Sequence, residues 1–401
     1  MGLSLSKSSA KQFSAALVLA SSIWGVLPLT ALAQSQVTST VPGTEVDPAE
    51  YNIFLDTGDP LVVSVTVNVP LEAAPSKLDL FLLEDLSGSF ANDLPIIRNL
   101  VPNLISEITA LVPDTQFGVG SFIDKPINPF GSAFNGDYVY QTELALTSNQ
   151  ASFQSAINGL STGSGVDVPE AQLEALLQTG VRGASEIGFR SDAFSVVVLS
   201  TDAVFHQAGD GVSAGILTPN DGDADLEGTP PGTAEDYPSV EQVKQALQAA
   251  NVVPIFAVTS SVRSTYEDLV SKLGFGSVVT LSSDSSNLVN AISTGLSDIF
   301  TNISLIAVGD DFGYVKSINP PSFADVAPGE SVVFDVTFTS DGSGSDDTLR
   351  LVAAGFGETV ANIDVLDEDG GSGGVTVPEP ASILGLLAFG GLGATRLRQR
   401  Q

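Results

Sequence analysis

A chain of 401 residues can hold more than one domain and bury a sizeable core. Its lack of cysteine excludes disulfides, thiol catalysis and thiolate zinc sites, and its one histidine, His206, excludes a multi-histidine zinc site and leaves a Ser-His hydrolase in need of a third, orienting group. The net charge of −32 repels nucleic acid and anionic membranes; it suits divalent cations or a salty exterior, and it equally serves plain solubility.

Lys7 and Lys11 precede an apolar stretch from Ala15 to Leu32, and Ala31-Leu32-Ala33 then supplies the small-x-small pattern before Gln34. This order reads as a secretory signal peptide over residues 1–33, with the mature chain starting near Gln34. From Tyr51 to Val69 the pattern alternates: Val63, Val65, Val67 and Val69 face one way, Ser64, Thr66 and Asn68 the other. Such period-two alternation predicts half-buried strand.

Between residues 77 and 303 strand and helix alternate. Apolar runs predict strands at Leu78–Leu83, Phe117–Ile123, Phe194–Ser200, Val252–Thr259 and Val278–Ser282. Single apolar stripes predict helices at Asp93–Leu111, Pro169–Thr179, Pro238–Ala250 and Asn287–Thr301. That combination implies an α/β domain with a doubly wound, mostly parallel sheet. After it the period-two pattern returns, with Val332, Phe334, Val336 and Phe338, then Leu349 and Leu351, then Ala361, Ile363 and Val365. The flanks 37–76 and 304–367 are each short, so together they predict one discontinuous all-β sandwich into which the α/β domain is inserted.

A Gly/Ser linker spans 368–376. The tail, 377–401, runs from Val377-Pro378-Glu379-Pro380 through an apolar stretch, Ala381 to Ala394, to Arg396, Arg398 and Arg400. The stretch is short for a spanning helix, which needs about 20 residues, and by itself would pass for a weak membrane anchor. The order of the three parts resembles the PEP-CTERM sorting signal of Gram-negative bacteria. The resemblance implies export to the cell surface, with the tail handled by exosortase-type machinery and cut near Pro378–Pro380.

The chemistry concentrates at strand ends. Asp85-Leu86-Ser87-Gly88-Ser89 follows the first strand of the α/β domain, Asp124 the second, and Asp202 the run Val196–Thr201; Gly165-Val166-Asp167-Val168-Pro169-Glu170 leads into a helix. Open α/β sheets place ligands at this edge, and hard oxygen donors suit magnesium, manganese or calcium. Taken singly, the first motif is also an ordinary Ser-rich turn, and Pro169-Glu170 an ordinary helix start. Together, so many carboxylates at one edge would repel unless a cation sat among them.

These segments, with Gly120–Pro126, Ser200-Thr201-Asp202, Phe205–Gly211, Pro219-Asn220-Asp221-Gly222 and Ile255–Thr259, resemble in one register the βI domain of integrin β subunits, a von Willebrand factor A type fold. The flanks, Thr348–Val365 above all, resemble the integrin hybrid domain that carries it. The resemblance implies a central metal-ion-dependent adhesion site of Asp85, Ser87, Ser89, Glu170 and Asp202. It would hold magnesium (or manganese) and leave a position for a ligand's acidic side chain. An adjacent site would use Ser89, Asn92 and Asp93, and a synergistic site Asp124, Gly165, Asp167, Pro169 and Glu170, each for calcium. Asn92 replaces an acid of the family, and Gly165, in place of its Asn, offers only a carbonyl. His206 reads as structural.

The function so implied is cation-dependent adhesion to a protein ligand with an exposed Asp or Glu, or to an acidic surface polymer. The alternatives are a surface scaffold or matrix component with a purely structural metal, and a metal-assisted phosphohydrolase acting through Asp85, which lacks a second base; no enzyme activity is expected. In the family a basic residue after Gly-Asp-Gly docks into the α subunit, but here Gly209-Asp210-Gly211 is followed by Val212, and no basic residue lies between Arg190 and Lys244. The loop Asn128–Tyr140 also lacks the family's cysteines. A monomer, or a partner bound in another mode, is expected in place of an animal-type α subunit.

Overall fold

The computed structural model describes residues 34–69, 74–353 and 355–365; the expected signal peptide, the 368–376 linker and the sorting tail lie outside the described residues. The chain opens with β1 (Gln36–Val41), β2 (Val46–Asp47), β3 (Glu50–Leu55) and β4 (Leu61–Asn68). The α/β stretch follows as β5 (Lys77–Asp85), α1 (Leu94–Leu111), β6 (Asp114–Phe122), β7 (Gln141–Thr147), α2 (Gln150–Gly159), α3 (Gln172–Val181), β8 (Phe194–Thr201), α4 (Val240–Ala249), β9 (Val252–Thr259), α5 (Arg263–Leu273), β10 (Ser277–Leu281) and α6 (Leu288–Thr301). The last strands are β11 (Ile303–Val308), β12 (Val315–Asn319), β13 (Ser322–Phe323), β14 (Ser331–Phe338), β15 (Asp347–Ala353) and β16 (Gly357–Val365).

The central sheet has the order β10-β9-β8-β5-β6-β7. All its pairings are parallel except that of β7, which runs antiparallel at the edge. β8 (FSVVVLST) is buried at every position, as a strand covered by helices on both faces must be. The chain goes from β5 outward to β6, then returns to the other side of β5 with β8. The sheet's topological switch point therefore lies between β5 and β8, and their carboxyl ends flank the crevice where such sheets bind ligands. α1 covers the sheet with Leu94, Ile97, Val101, Leu104 and Ile108, one stripe at helical spacing, all buried.

Two further sheets, β1-β3-β16-β15-β11-β13 and β12-β14-β4-β2, share a second core. Strands from before and after the α/β stretch join side by side in both. β4 pairs antiparallel with β14, and β3 parallel with β16. Val63, Val65 and Val67 face inward against Val332, Phe334 and Val336, while Ser64 Oγ donates to Asp335 Oδ1 on the outer face at 2.8 Å.

The sequence pattern gives no sign of β7, α2 or α5. β7 is a half-exposed edge strand, α2 buries only Phe153 and Ile157, and α5 is polar on most of its surface. The helix expected from Pro169 begins instead at Gln172. Glu170 makes a parallel bridge with Phe205, which holds Pro169-Glu170 extended at the edge of the site.

Candidate metal centre

Asp85 closes β5, fully buried, and Thr201 closes β8 alongside it. The parallel register sets Glu84 opposite Ser200, so the next positions, Asp85 and Thr201, meet. Thr201 Oγ1 donates to Asp85 Oδ2 at 2.6 Å, and the Ser87 backbone N–H donates to Asp85 Oδ1 at 2.8 Å. A short 3-10 turn, Gly88–Asn92, then carries Ser89 back over the strand end. Ser87 Oγ lies 3.1 Å from Ser89 Oγ, and Ser89 Oγ donates to Asp202 Oδ1 at 2.7 Å. Asp85, Ser87, Ser89 and Asp202 thus form one continuous run. Gly88 is required here: its N–H donates to Ser164 O at 3.0 Å, and a Cβ would stand 2.8 Å from that oxygen.

Glu170 joins this run to the next group. It is buried, and its Oε2 has no hydrogen-bond partner. Its carboxyl is pushed up to about 11, first by burial and then by the charges of Asp85, Asp124 and Asp167. Burial raises Asp85 too, to about 6, although Thr201 and Ser87 work against it. Glu84, beside Asp85, has neither carboxyl oxygen paired and is pushed up to about 8 by burial, Asp85 and Asp93. Gly165 stands against Glu170 with φ +59°, and a Cβ there would be 2.6 Å from Glu170 Oε1. The lack of a side chain that removes a ligand is also what admits the carboxylate.

Asp124, Asp167 and His206 each bring one ligand atom to a single cluster, all within 4.8 Å of one another. His206 Nε2 lies 3.2 Å from Asp167 Oδ2 and 3.5 Å from Asp124 Oδ2, and its Nδ1 lies 3.1 Å from Asp210 Oδ2. The imidazole stacks on Tyr237 and meets the edge of Phe130. Tyr237 OH donates to Asp124 Oδ1 at 2.5 Å, while Asp124 Oδ2 is buried without a partner. Burial, with the charge of Asp167, holds the Asp124 carboxyl well above the usual range.

At the adjacent group Asp93 is buried and accepts from Ser285 Oγ at 2.6 Å. Burial raises it, as do Asp202 and Asp284 nearby. Asn92 reaches the same loop: its Nδ2 donates to Ser283 O at 3.4 Å. The loop after β10 thus contributes to this group, which no local motif announced. Thr201, Tyr237 and Asp137 were likewise not legible as site residues. Asp137 anchors the 161–166 loop by accepting from Ser164 N at 3.0 Å and Ser132 N at 2.8 Å.

The family model for the integrin beta chain VWA domain matches residues 73–303, and that for the PEP-CTERM protein-sorting motif matches 376–401. The chain belongs to the integrin beta VWA family. It is 33% identical to integrin beta-PS of Drosophila melanogaster over 250 residues, 58% of this chain and 29% of that one. It is 32% identical to human integrin beta-7 over 280 residues, 65% of this chain and 34% of that one. To chicken (Gallus gallus) integrin beta-1 it is 28% identical over 349 residues, 79% and 43% of the two chains. It spans less than half the length of these relatives. A solved pilus adhesin of Lactobacillus rhamnosus GG matches at TM-score 0.36 and 12% identity over 82% of this chain and 47% of that one, a likeness too slight to carry argument.

Proposed function

We propose that this integrin beta VWA family protein is an exported cell-surface adhesion protein that binds an acidic group of a partner through a divalent cation. The observation that carries the reading is Glu170: a buried carboxylate whose Oε2 has no hydrogen-bond partner, set among Asp85, Asp124 and Asp167. A divalent cation would turn their repulsion into coordination. Asp85, Ser87, Ser89, Glu170 and Asp202 would hold it, all through oxygen, as magnesium or manganese requires. When bound, the ion supplies an electrophile for an outside carboxylate. The two serines add oxygens without charge, and Thr201 and the Ser87 N–H fix the Asp85 carboxylate.

The same fit extends to calcium in the flanking groups, with Ser89, Asn92 and Asp93 on one side and Asp124, Asp167, Glu170 and the carbonyls of Gly165 and Pro169 on the other. His206 brings a nitrogen to that second group. We read the protein as a binder rather than an enzyme, since His206 is already held among Asp124, Asp167 and Asp210. The partner would be a protein with an exposed Asp or Glu, or an acidic surface polymer, with no animal-type α subunit: Val212, where the family has a basic residue, is an exposed apolar side chain. The sorting motif supports export and handling by exosortase-type machinery on a Gram-negative-type surface. No helix among the described residues is long and apolar enough to cross a membrane.

A pull-down from the same cell's exported proteins, in magnesium and again in EDTA, tests this. Capture in magnesium alone, lost on Asp85→Ala, is expected. Capture that survives EDTA would overturn the reading, and cation-stabilised protein that captures nothing would favour a scaffold with a structural metal.

A further inference from the structure

We propose that Asp221, Glu227 and Glu235 form a further divalent-cation site, of the calcium class, that fastens the long loop between β8 and α4. It is separate from the three groups at the strand ends and does not depend on the adhesion reading. One carboxylate oxygen from each residue comes within 4.8 Å of the other two. Calcium binds oxygens at about 2.3–2.6 Å, so oxygens this far apart fit on one coordination shell. The decisive group is Glu235: only 3% exposed, it faces this cluster, and its Oε1 has no hydrogen-bond partner. Glu227 Oε2 is likewise buried and unpartnered. A buried, unpaired carboxylate is costly unless a cation meets it.

Among the described residues the basic groups near the loop are already engaged: Arg182 Nη2 donates to Ala224 O and its Nη1 pairs with Glu186. The loop contains no Lys or Arg. Lys125, whose charge reaches Glu235, is fully buried; its Nζ already donates to Gly232 O at 2.9 Å and lies 3.9 Å from Glu174 Oε2. One lysine therefore faces two buried glutamates, Glu174 and Glu235, before Glu227 and Asp221 are considered. Burial pushes Glu235 up to about 8, with Glu174 and Glu227 adding to it, so without a cation Glu235 holds a proton at neutral pH. Asp221 is exposed and leaves the site open to solvent, so an ion can enter and keep waters.

The site also has something to hold. Immediately after Glu235, Asp236 accepts from Gly209 N at 2.6 Å and Gly211 N at 2.7 Å, and Tyr237 donates to Asp124. A cation joining 221, 227 and 235 would fix the segment that delivers both residues.

Equilibrium dialysis of the full mature chain against radioactive calcium at pH 7.5 tests the proposal, together with thermal unfolding with and without calcium. The wild type is compared with Glu235→Gln, Asp221→Asn and Asp85→Ala. Both loop variants should bind one calcium fewer than the wild type and lose part of its calcium-dependent rise in Tm, whereas Asp85→Ala should keep that ion. Asp221 is exposed, so Asp221→Asn remains informative if Glu235→Gln fails to fold. Unchanged stoichiometry in Asp221→Asn overturns the site. So does a Glu235→Gln protein that is more stable without calcium yet binds as much of it, because a proton on Glu235 would then suffice.

Discussion

The two ends of β5 each bury a carboxylate and treat it in opposite ways. Asp79, near the start, is met by Arg190: Nε donates to Asp79 Oδ1 at 2.8 Å, the Arg190 N–H to Asp79 Oδ2 at 2.6 Å, and Nη1 to Asp114 Oδ1 at 2.7 Å. Asp85, at the other end, meets only hydroxyls, N–H groups and more carboxylates. Burial raises both. At the first end the chain brings its own cation. At the second, Glu84, Glu170 and Asp124 have unpaired oxygens, which an arginine would fill and thereby close to any ligand. An internal guanidinium makes a structural site; carboxylates left to an external ion make one that can exchange ligands.

The largest expected effect lies at the closed end. Arg190→Ala would strand Asp79, which is fully buried, and should cost about 3 kcal/mol in urea unfolding, as breaking a buried pair does. It should leave the cation dependence of Tm unchanged. A loss below about 1 kcal/mol would break the comparison, because such small values belong to exposed pairs.

At the open end the effect reverses with the cation. In EDTA, Glu170→Gln should raise stability at pH 7.5 by about 2 kcal/mol, each pH unit of unfavourable protonation being worth about 1.4 kcal/mol. With magnesium the same variant should lose most of the ion-induced rise in Tm. The pH dependence follows from the same groups. In the cation-free fold Glu170, Glu84 and Asp85 lie near 11, 8 and 6, all above their ordinary values. The folded state then binds more protons than the unfolded chain from about pH 4 upward, so stability is present in full below that and falls as pH rises. In EDTA, Tm should fall between pH 5 and pH 8, and saturating magnesium should flatten that slope. A Tm that rises over this interval in EDTA would show that the carboxylates are not crowded.

Much of this was readable in the sequence, for reasons that also explain what was not. Period-two alternation and helical stripes persist wherever an element buries one clean face, so β4, β14, α1 and α6 could be read. Carboxylates at the ends of parallel strands must share an edge, so Asp85, Asp124 and Asp202 could be grouped before any distance was known. Thr201 becomes a partner of Asp85 only through strand register. Tyr237 and Ser285 arrive from loops far along the chain, where nothing local marks their destination. Pro169-Glu170 carried a good local signal for a helix start, but the bridge to Phe205 prevailed.

The smallest expected effect sharpens the comparison most, because its sign alone decides. Asn92 is where the open end carries one charge fewer than its family's pattern. Its Nδ2 donates to Ser283 O across a long 3.4 Å, beside Asp93, which Asp202 and Asp284 already push upward. Asn92→Asp would exchange that donor for a carboxylate facing a carbonyl oxygen and two or three acids. In EDTA it should therefore lower stability, by less than about 1 kcal/mol because the position is exposed. In millimolar calcium the added oxygen charge should raise the adjacent group's affinity severalfold, worth about 1 kcal/mol, and the variant should become the more stable of the two. Unfolding of both proteins in EDTA and in calcium reads this as a crossing of two lines. If Asn92→Asp is the less stable in both, the group of Ser89, Asn92 and Asp93 holds no cation, and the open end of β5 is confined to the carboxylates around Glu170.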